Sequence, residues 1–167
     1  MSEVSPIRIG FDVGNVILRN DTDSSEAVSF LNRRQSYVDG ALEAIGHFVT
    51  VISADNAFII SKCGPTMQER TSDFLDSTDF YGQTGFDRDH VLFCRHRSEK
   101  APIAASLGLT DFVDDRLDIL RSMTTVKRKY LFQRPGKPRL LPSILGPEDG
   151  GITITYSWAE LEASIPE

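Results

Sequence analysis

The sequence predicts an α/β fold in which helices cover both faces of a central parallel sheet of about five strands. Two observations support this fold class. Short apolar runs rich in β-branched and aromatic residues recur along the chain, separated by segments whose apolar residues follow helical spacing. In addition, 167 residues suffice for one complete domain but not for two of ordinary size. We therefore expect residues 1–167 to form a single α/β domain.

The strand candidates are apolar runs of strand length, most of which lead directly into a polar or charged residue. In chain order they are Ile7–Val13, Ala57–Ser61, Val91–Cys94, Phe112–Asp114 and Lys129–Phe132. In parallel sheets of this kind, ligands bind outside the carboxyl ends of the strands. Polar residues at the ends of these runs are therefore the first candidates for a functional site.

The segments between the strand candidates carry helix signals. In the first segment, Leu42, Ile45 and Val49 follow the i, i+3, i+7 spacing of one buried face. Pro65 suits the first turn of a second helix, and Gly108 ends a third as a C-terminal cap. The third helix, a short fourth and a terminal helix are expected over Glu99–Leu107, Asp118–Met123 and Trp158–Ala163.

Two stretches lack a strand or helix pattern. Asn20–Ser36 is polar and poorly patterned, which predicts a loop containing no more than one helical turn. Arg134–Gly151 is rich in proline and glycine, which predicts a loop or a hairpin and not a second domain.

Composition favours a soluble globular protein, since 40% of residues are hydrophobic and 25% are charged. The sequence shows neither an apolar run of about 18 residues nor a secretory signal. Cys63 and Cys94 show no metal-binding spacing, so free buried thiols in a reducing cytosol are favoured over a disulfide or a zinc site. The expectation is a cytoplasmic protein without a membrane partner.

The net charge of −6 argues against a general nucleic-acid coat. Basic residues nevertheless cluster in two stretches, and such patches either guide a phosphorylated substrate or are solvated loops. They are Arg95, His96, Arg97 and Lys100 in the first, and Lys127, Arg128, Lys129, Arg134, Lys137 and Arg139 in the second.

Asp12 closes the first apolar run, so the first strand places its carboxylate at the edge of the sheet. A carboxylate there can attack phosphorus or bind magnesium, provided that a cation neutralises the crowded oxygens. Gly14 would let the backbone approach closely and offer its carbonyl oxygen to the metal. The alternative is that Asp12 only caps the following turn.

Two serines compete for a phosphate-binding role at the end of the second strand. Ser61 ends that strand, where its hydroxyl and the next backbone amides could hold a phosphoryl oxygen. Ser53 is the rival, but we favour Ser61 because the helix before it needs the earlier residues to reach its full length. Lys100, early in the third helix, could neutralise the nucleophile and a bound phosphate as a point charge.

Asp114, Asp115 and Asp118 follow an apolar pair at the end of the fourth strand candidate. Adjacent acids repel one another unless a cation lies among them. Hard oxygen ligands in this number suit Mg²⁺, which needs only a couple of carboxylates. A helix N-cap explains one of these acids but not all three.

The order of these groups resembles the haloacid dehalogenase-like (HAD-like) hydrolase superfamily. Phe11-Asp12-Val13-Gly14-Asn15-Val16-Ile17 is similar to the first motif of that family, Ile59-Ile60-Ser61 to the second, Lys100 to the third and Val113-Asp114-Asp115-Arg116-Leu117-Asp118 to the fourth.

This resemblance implies a Rossmann-like three-layer sandwich and Mg²⁺-dependent hydrolysis of phosphomonoesters through an aspartyl-phosphate at Asp12. Asp12, Ser61 and Lys100 would be the catalytic residues. Residues that contact the substrate would be Asn15, Ser61, Lys62 and Lys100, and the metal ligands would come from Asp12, Gly14, Asp114, Asp115 and Asp118.

The chain departs from the family pattern at Gly14, where many members carry a second aspartate as general acid and base. Help of that kind is typically worth about 10²–10⁴ in rate. Its loss favours an alternative reading of the chain as a catalytically impaired binding or regulatory module. Asp21 or Asp23 could substitute for the missing acid. A receiver-like phospho-switch is disfavoured because its acidic pair comes early in the chain and its lysine late.

The spacing of the motifs leaves no room for a substantial cap domain. Family members without a cap often act on bulky or macromolecular phosphates, because nothing closes over the substrate. The resemblance therefore implies an open site and a phosphorylated substrate, either a small molecule or a macromolecular end such as that of a nucleic acid.

Overall fold

The computed structural model describes residues 5–20 and 35–166. Its strands are β1 (Ile9–Phe11), β2 (Ala57–Lys62), β3 (Val91–Cys94), β4 (Asp111–Asp114), β5 (Arg128–Phe132) and β6 (Ile152–Thr155). Its α-helices are α1 (Ala41–Ile52), α2 (Pro65–Ser77), α3 (Phe80–Thr84), α4 (Lys100–Ser106), α5 (Leu117–Ser122) and α6 (Trp158–Ser164).

The strands form one sheet in the order β3-β2-β1-β4-β5-β6, and every neighbouring pair runs parallel. This is the strand order of a Rossmann-type doubly wound sheet. The order reverses between β1 and β4, because the chain builds outward from β1 to β3 and then returns to the other side. A crevice at such a reversal is where ligands bind in open α/β sheets.

Helices cover both faces of the sheet, which makes a three-layer sandwich. One hydrophobic core lies between the sheet and helices α1, α2, α3 and α6, and it contains Phe11, Ile45, Phe80 and Trp158. The other lies between the sheet and helices α4 and α5, and it contains Phe112 and Leu120. The predicted Rossmann-like α/β sandwich with a parallel sheet is confirmed.

The central strand β1 is shaped by a glycine. A Cβ atom at Gly10 would lie 2.7 Å from the side chains of Leu109 and Phe112. The side chains before and after it, Ile9 and Phe11, are fully buried in the opposite core. Gly10 thus allows the Phe112 ring of the neighbouring strand to pack directly against the β1 backbone.

Helix α6 returns to the middle of the sheet and contacts the segment that follows β1. The Trp158 indole N–H donates to the carbonyl oxygen of Val16 at 2.8 Å, and this bond is buried. The Trp158 ring also lies 5.6 Å from the ring of Phe11 and 5.6 Å from that of Phe132. The last helix therefore fixes the position of the loop after β1.

The structure differs from the sequence expectation in three respects. Strand β1 spans only three residues, shorter than the predicted Ile7–Val13. The sheet has six strands instead of five, because Ile152–Thr155 pairs with β5 at the edge. This strand was not predicted because only two of its four residues are apolar, so it lacks a continuous apolar run such as that of Val91–Cys94. The short helix α3, Phe80–Thr84, was also not predicted.

Arg134–Gly151 is a connection that contains two single 3₁₀ turns, as expected of a loop. The hairpin alternative for this stretch is wrong, since the strands that it joins, β5 and β6, run parallel. Most of the predicted loop Asn20–Ser36 lies outside the described residues. Within residues 5–20 and 35–166, no helix combines the length and the apolar character needed to cross a bilayer.

Candidate functional site

Asp12 and Asp114 lie side by side at the carboxyl edge of the sheet, where the strand order reverses. Strands β1 and β4 pair with Phe11 opposite Val113, so the next residue of each strand is an aspartate at the same level. The Asp12 backbone N–H donates to the Val113 carbonyl oxygen at 2.9 Å, which extends this pairing to the aspartate itself. A dinucleotide-binding fold has a glycine-rich turn after its first strand, whereas this chain has a buried carboxylate.

Lys100 joins these two carboxylates. It begins helix α4, is 3% exposed, and donates from Nζ to Asp12 Oδ1 and to Asp114 Oδ2, both at 2.8 Å. Burial acts to lower the pKa of Lys100, but the charges of Asp12 and Asp114 outweigh burial and raise it above its usual value. Lys100 is therefore a cation at neutral pH, fixed between two groups that the sequence places 88 and 14 residues away.

The carboxylates outnumber this cation. Oxygen atoms of Asp12, Asp114 and Asp115 all lie within 4.8 Å of one another. With Lys100, these three acids leave a formal excess of two negative charges. Burial and the nearby Asp12 charge raise the pKa of Asp114 well above its usual range, and the same causes raise the pKa of Asp115. We call Asp12, Asp114 and Asp115 the acid cluster.

The donor set of the acid cluster fits a hard divalent cation. Carboxylate oxygens are the ligands that Mg²⁺ prefers, and opposite ligands of one Mg²⁺ ion lie about 4 Å apart. A divalent ion would also offset the burial and the nearby Asp12 charge, which together raise the pKa values of Asp114 and Asp115. Asp12, Asp114 and Asp115 are thus the residues that could hold Mg²⁺.

Asn15 positions the third member of the acid cluster. Its side-chain amide donates to Asp115 Oδ2 at 3.0 Å, and its Oδ1 accepts from Arg134 Nε at 3.0 Å and from the Asn20 backbone N–H at 3.1 Å. The backbone of Asn15 has φ of 59°, a left-handed conformation that asparagine tolerates better than most residues. The tight loop after β1 thereby turns the Asn15 side chain towards Asp115.

Arg134 is the site-edge residue that sequence reasoning missed, because it was grouped only with the basic stretch after β5. The side chain is 8% exposed and reaches the Asn15 amide. The signal that could have found it is its place two residues beyond a strand, at the same edge as Asp12 and Asp114.

Asp118 is not brought to the acid cluster. Its side chain is 61% exposed and pairs with Arg116, whose Nε donates to Asp118 Oδ1 at 3.2 Å. The Arg116 backbone N–H instead donates to Asp114 Oδ1 at 3.0 Å. Of the three predicted acids in this segment, Asp114 and Asp115 therefore face Asp12 and Asp118 faces solvent.

Ser61 lies at the same edge as Asp12. Because Phe11 pairs with Ile59, Ser61 is two residues further along the adjacent strand, and it is buried. Lys62 ends β2 and is exposed. Ser53 follows helix α1 and precedes β2, which puts it at the amino edge, away from Asp12.

Gly14 is not required by the local packing. A Cβ atom there would meet its nearest neighbour, Asn20 Nδ2, at 3.8 Å, an ordinary contact distance. Its φ is not among the positive values that favour glycine. A Cβ atom is accommodated at this position, so close packing does not explain why glycine stands where many members of the resembled family carry aspartate. Asp21 and Asp23, the two proposed substitutes, lie outside the described residues.

No family model matches this chain, and no curated protein matches it. Among solved structures, the chain is similar to a de novo designed Rossmann 3x3 fold protein determined by solution NMR. The TM-score is 0.45 and the identity 14%, over 94% of this chain and 90% of that one. This likeness is too distant to carry an argument about function.

Proposed function

We propose that the protein is a HAD-like, Mg²⁺-dependent phosphohydrolase that acts on phosphomonoesters through an aspartyl-phosphate at Asp12. The observation that carries the proposal is the buried Lys100, which bonds to Asp12 and Asp114 within a cluster that still has excess negative charge. A structural ion pair of Lys100 with one carboxylate would not need two further carboxylates. A site that binds a phosphate together with a divalent cation would need them as metal ligands.

One oxygen of the Asp12 carboxylate is held by a hydrogen bond, and the other is available to attack phosphorus. Lys100 binds Oδ1, so we assign Oδ2 as the attacking atom. Attack forms a bond from Oδ2 to phosphorus and breaks the bond from phosphorus to the leaving oxygen, which takes a proton from solvent. Water then attacks phosphorus, the bond from phosphorus to Oδ2 breaks, and the water gives a proton to solvent, which releases inorganic phosphate and regenerates the carboxylate.

The surrounding residues hold the reacting groups. Lys100 and the Ser61 hydroxyl would bind the phosphoryl oxygens, with Asn15 and Lys62 as further substrate contacts. Mg²⁺ held by Asp12, Asp114, Asp115 and the Gly14 carbonyl would neutralise the charge on those oxygens. The Asn15 amide keeps Asp115 oriented towards the metal position.

The substrate class follows from two features of the proposal. Because position 14 supplies no general acid, the enzyme would favour phosphates with a good leaving group or would turn over slowly, by about 10²–10⁴ relative to a site that has that acid. Without a substantial cap, it would accept bulky or macromolecular phosphates. We place it in the cytoplasm, where Cys63 and Cys94 would remain the free thiols seen here.

The test compares Asp12→Asn with the parent on an aryl phosphate in the presence of MgCl₂. The variant should lose turnover, while Asp55→Asn, an exposed residue at the amino edge of the sheet, makes the same charge change away from the site. Circular dichroism would check that both variants fold. Equal rates for Asp12→Asn and the parent would end the proposal.

A second candidate function is a non-hydrolytic binding or regulatory module, and Gly14 is the observation that favours it. Such a module would bind Mg²⁺ and a phosphate without turnover on a broad panel of phosphoesters. Gly14→Asp distinguishes the two functions, and a Cβ atom at this position meets no neighbour closer than 3.8 Å. A rise in kcat in Gly14→Asp over a measurable parent rate supports the hydrolase. Mg²⁺ binding with no turnover in the parent supports the module.

A further inference from the structure

The sheet has two edge strands, β3 and β6. In the part of the chain that the structure describes, each of them pairs with a neighbouring strand on one side only. The other side of an edge strand presents backbone N–H and C=O groups that can pair with another chain. Proteins commonly protect such an edge with charged residues, proline or a bulge.

The two edges differ in this protection. Charged or ionisable residues precede β3 at positions 88–90 and follow it at positions 95–97. The Arg95 backbone N–H is also used within the chain, because it donates to Glu99 Oε1 at 3.2 Å. By contrast, positions 150–157, which contain β6, include neither a charged residue nor a proline. The edge at β6 is therefore the one that is open to pairing.

The outward backbone groups of β6 belong to two isoleucines. N–H groups in β5 and just after it donate to the carbonyl oxygens of Gly151 and Thr155, both at 2.8 Å. Alternate residues of a strand direct their N–H and C=O groups to opposite sides. Ile152 and Ile154 therefore direct theirs away from β5. Within residues 5–20 and 35–166, these groups have no partner strand.

These outward groups match a second copy of the same strand. If two β6 strands run antiparallel about a two-fold axis beside Thr153, Ile152 of each copy lies opposite Ile154 of the other. The two residues then exchange a pair of hydrogen bonds, and the two Thr153 residues face each other as a non-hydrogen-bonded pair. An arrangement with two-fold symmetry is closed, so it gives a dimer and not a fibre.

Apolar side chains lie beside this edge. Ile154 packs on the same hydrophobic core as Leu140 and Leu145, which belong to the connection from β5 to β6. That connection also exposes two large apolar side chains, Leu141 at 69% and Ile144 at 40%. A second copy at the β6 edge would lie beside the connection and remove apolar surface from water, which favours association.

The charges near the two ends of β6 are complementary. At the carboxyl end, the Arg139 guanidinium lies over the ring of Tyr156, 4.6 Å from its centroid. Before the amino end lies Glu148, whose side chain is 68% exposed. The antiparallel register places Tyr156 opposite Gly150 of the second copy, so Arg139 comes to the end of the strand that Glu148 of that copy precedes. Opposite charges thus meet on both sides of the axis, which favours this register.

We propose that the outer edge of β6 is a self-association surface, on which a second copy of this chain adds its own β6 in antiparallel register. The dimer joins the sheets of the two protomers into one continuous sheet. Strands β4 and β5 lie between β6 and the strand that carries Asp12. The proposal therefore does not rest on the phosphohydrolase function.

The first test is sedimentation velocity over a series of protein concentrations, where the parent should show a monomer–dimer equilibrium. Thr153→Lys places two like charges opposite each other at the axis, which should raise the dimer Kd by about fivefold or more. Thr153 is exposed in the protomer, so the change removes no core contact. Thr50→Lys makes the same substitution at an exposed position of helix α1 and should dimerise as the parent does. Circular dichroism would check that both variants fold.

The second test probes the register by cross-linking. Residues of a non-hydrogen-bonded antiparallel pair have Cα atoms about 4.5 Å apart, within the range of a disulfide. Oxidised glutathione should therefore convert Thr153→Cys into a covalent dimer on non-reducing electrophoresis, while Thr50→Cys stays monomeric.

Four outcomes would overturn the proposal. They are a parent that is monomeric at every concentration, a Thr153→Lys protein that dimerises as tightly as the parent, a Thr153→Cys protein that does not cross-link, and equal cross-linking of the two cysteine variants.

Discussion

The two ends of strand β4 each bury an aspartate, and the surroundings of the two differ in charge balance. At the amino end, Asp111 accepts from Arg128 Nε and Nη2, both at 2.7 Å, and from the Tyr130 hydroxyl at 3.1 Å. At the carboxyl end, Asp114 shares Lys100 with Asp12 and lies beside Asp115. Both aspartates are 0% exposed.

The comparison shows that burial of a carboxylate does not by itself indicate a functional site. Asp111 has one guanidinium for one carboxylate and a full set of hydrogen bonds, which is how a structural ion pair is stabilised. The acid cluster has three carboxylates for one ammonium. The excess charge, and not the burial, is what distinguishes the acid cluster from Asp111.

Removing the cationic side chain at each end of β4 should produce the largest loss of stability, and the two losses should respond differently to MgCl₂. Lys100→Met and Arg128→Met each leave buried carboxylates without their partner, which typically costs about 3–5 kcal/mol for a buried pair and less at Arg128, whose side chain is 30% exposed. Excess MgCl₂ should restore most of the loss in Lys100→Met and none in Arg128→Met. Chemical unfolding with and without MgCl₂ measures this. Equal responses of the two variants to the ion would remove the distinction between the ends.

The packing of β1 against the middle of β4 gives the next effect. Gly10→Ala places a methyl group 2.7 Å from the Phe112 ring, so we expect overpacking to lower the free energy of unfolding by about 1–3 kcal/mol. Gly150→Ala is the control, since no atom lies within 4 Å of its Cβ position and its φ is −55°. Urea unfolding of both variants measures the difference. A Gly10→Ala protein as stable as the parent would show that Phe112 can move away from β1.

At the carboxyl end, Asp115 and Asp118 are predicted to differ in their contribution to Mg²⁺ binding. Asp115→Asn should weaken Mg²⁺ binding by about tenfold or more, a loss that is common even for groups that only support a metal ligand. Asp118→Asn should change it less than twofold (about 0.4 kcal/mol), because Arg116 holds that side chain in solvent. Calorimetric titration with MgCl₂ measures the Mg²⁺ affinity of both variants. A larger loss in Asp118→Asn would move the metal position away from Asp12.

The ion pair between Asp149 and Arg121 should have the smallest effect on stability, and that effect should depend on pH. Asp149 accepts from Arg121 Nε at 2.8 Å and from the Gly146 backbone N–H at 2.9 Å, and these hydrogen bonds lower its pKa to about 2. Because its pKa in the unfolded chain is about 3.9, the ionised carboxylate stabilises the fold above that value. The stability difference between the parent and Asp149→Asn should be constant from neutral pH to about pH 5. It should then shrink as the pH falls towards 2. A difference that grows on acidification would contradict the pairing.

The sequence was sufficient for the parts of the fold that depend on local pattern. The strand that ends at Asp12, the placement of Ser61 at the end of β2 and the pair Asp114–Asp115 all follow from apolar runs that close on polar groups. The reversal of strand order between β1 and β4 then brings Asp12 and Asp114 together, as the α/β fold class implies.

The parts that sequence reasoning missed depend on contacts between distant segments. Asn15 bonds to Asp115 across 100 residues, and Arg134 bonds to Asn15 across 119. Neither pairing leaves a periodic signal, and asparagine and arginine are ordinary residues for loops. The edge strand β6 is similarly hidden, because Ile152–Thr155 contains only two apolar residues, whereas Val91–Cys94, a strand of equal length that was predicted, is continuously apolar. The family resemblance and the phosphatase activity stay predictions.

The bond from Trp158 to Val16 ties the loop that carries Asn15 to the last helix of the chain. During synthesis, the first strand leaves the ribosome long before that helix exists, and domains generally fold as units once their segments are available. The loop that follows Asp12 therefore has to wait for Trp158 to emerge before it is anchored. A nascent chain stalled short of that tryptophan would hold Asp12, Ser61, Lys100 and the acid cluster, but the loop that carries Asn15 would lack this anchor.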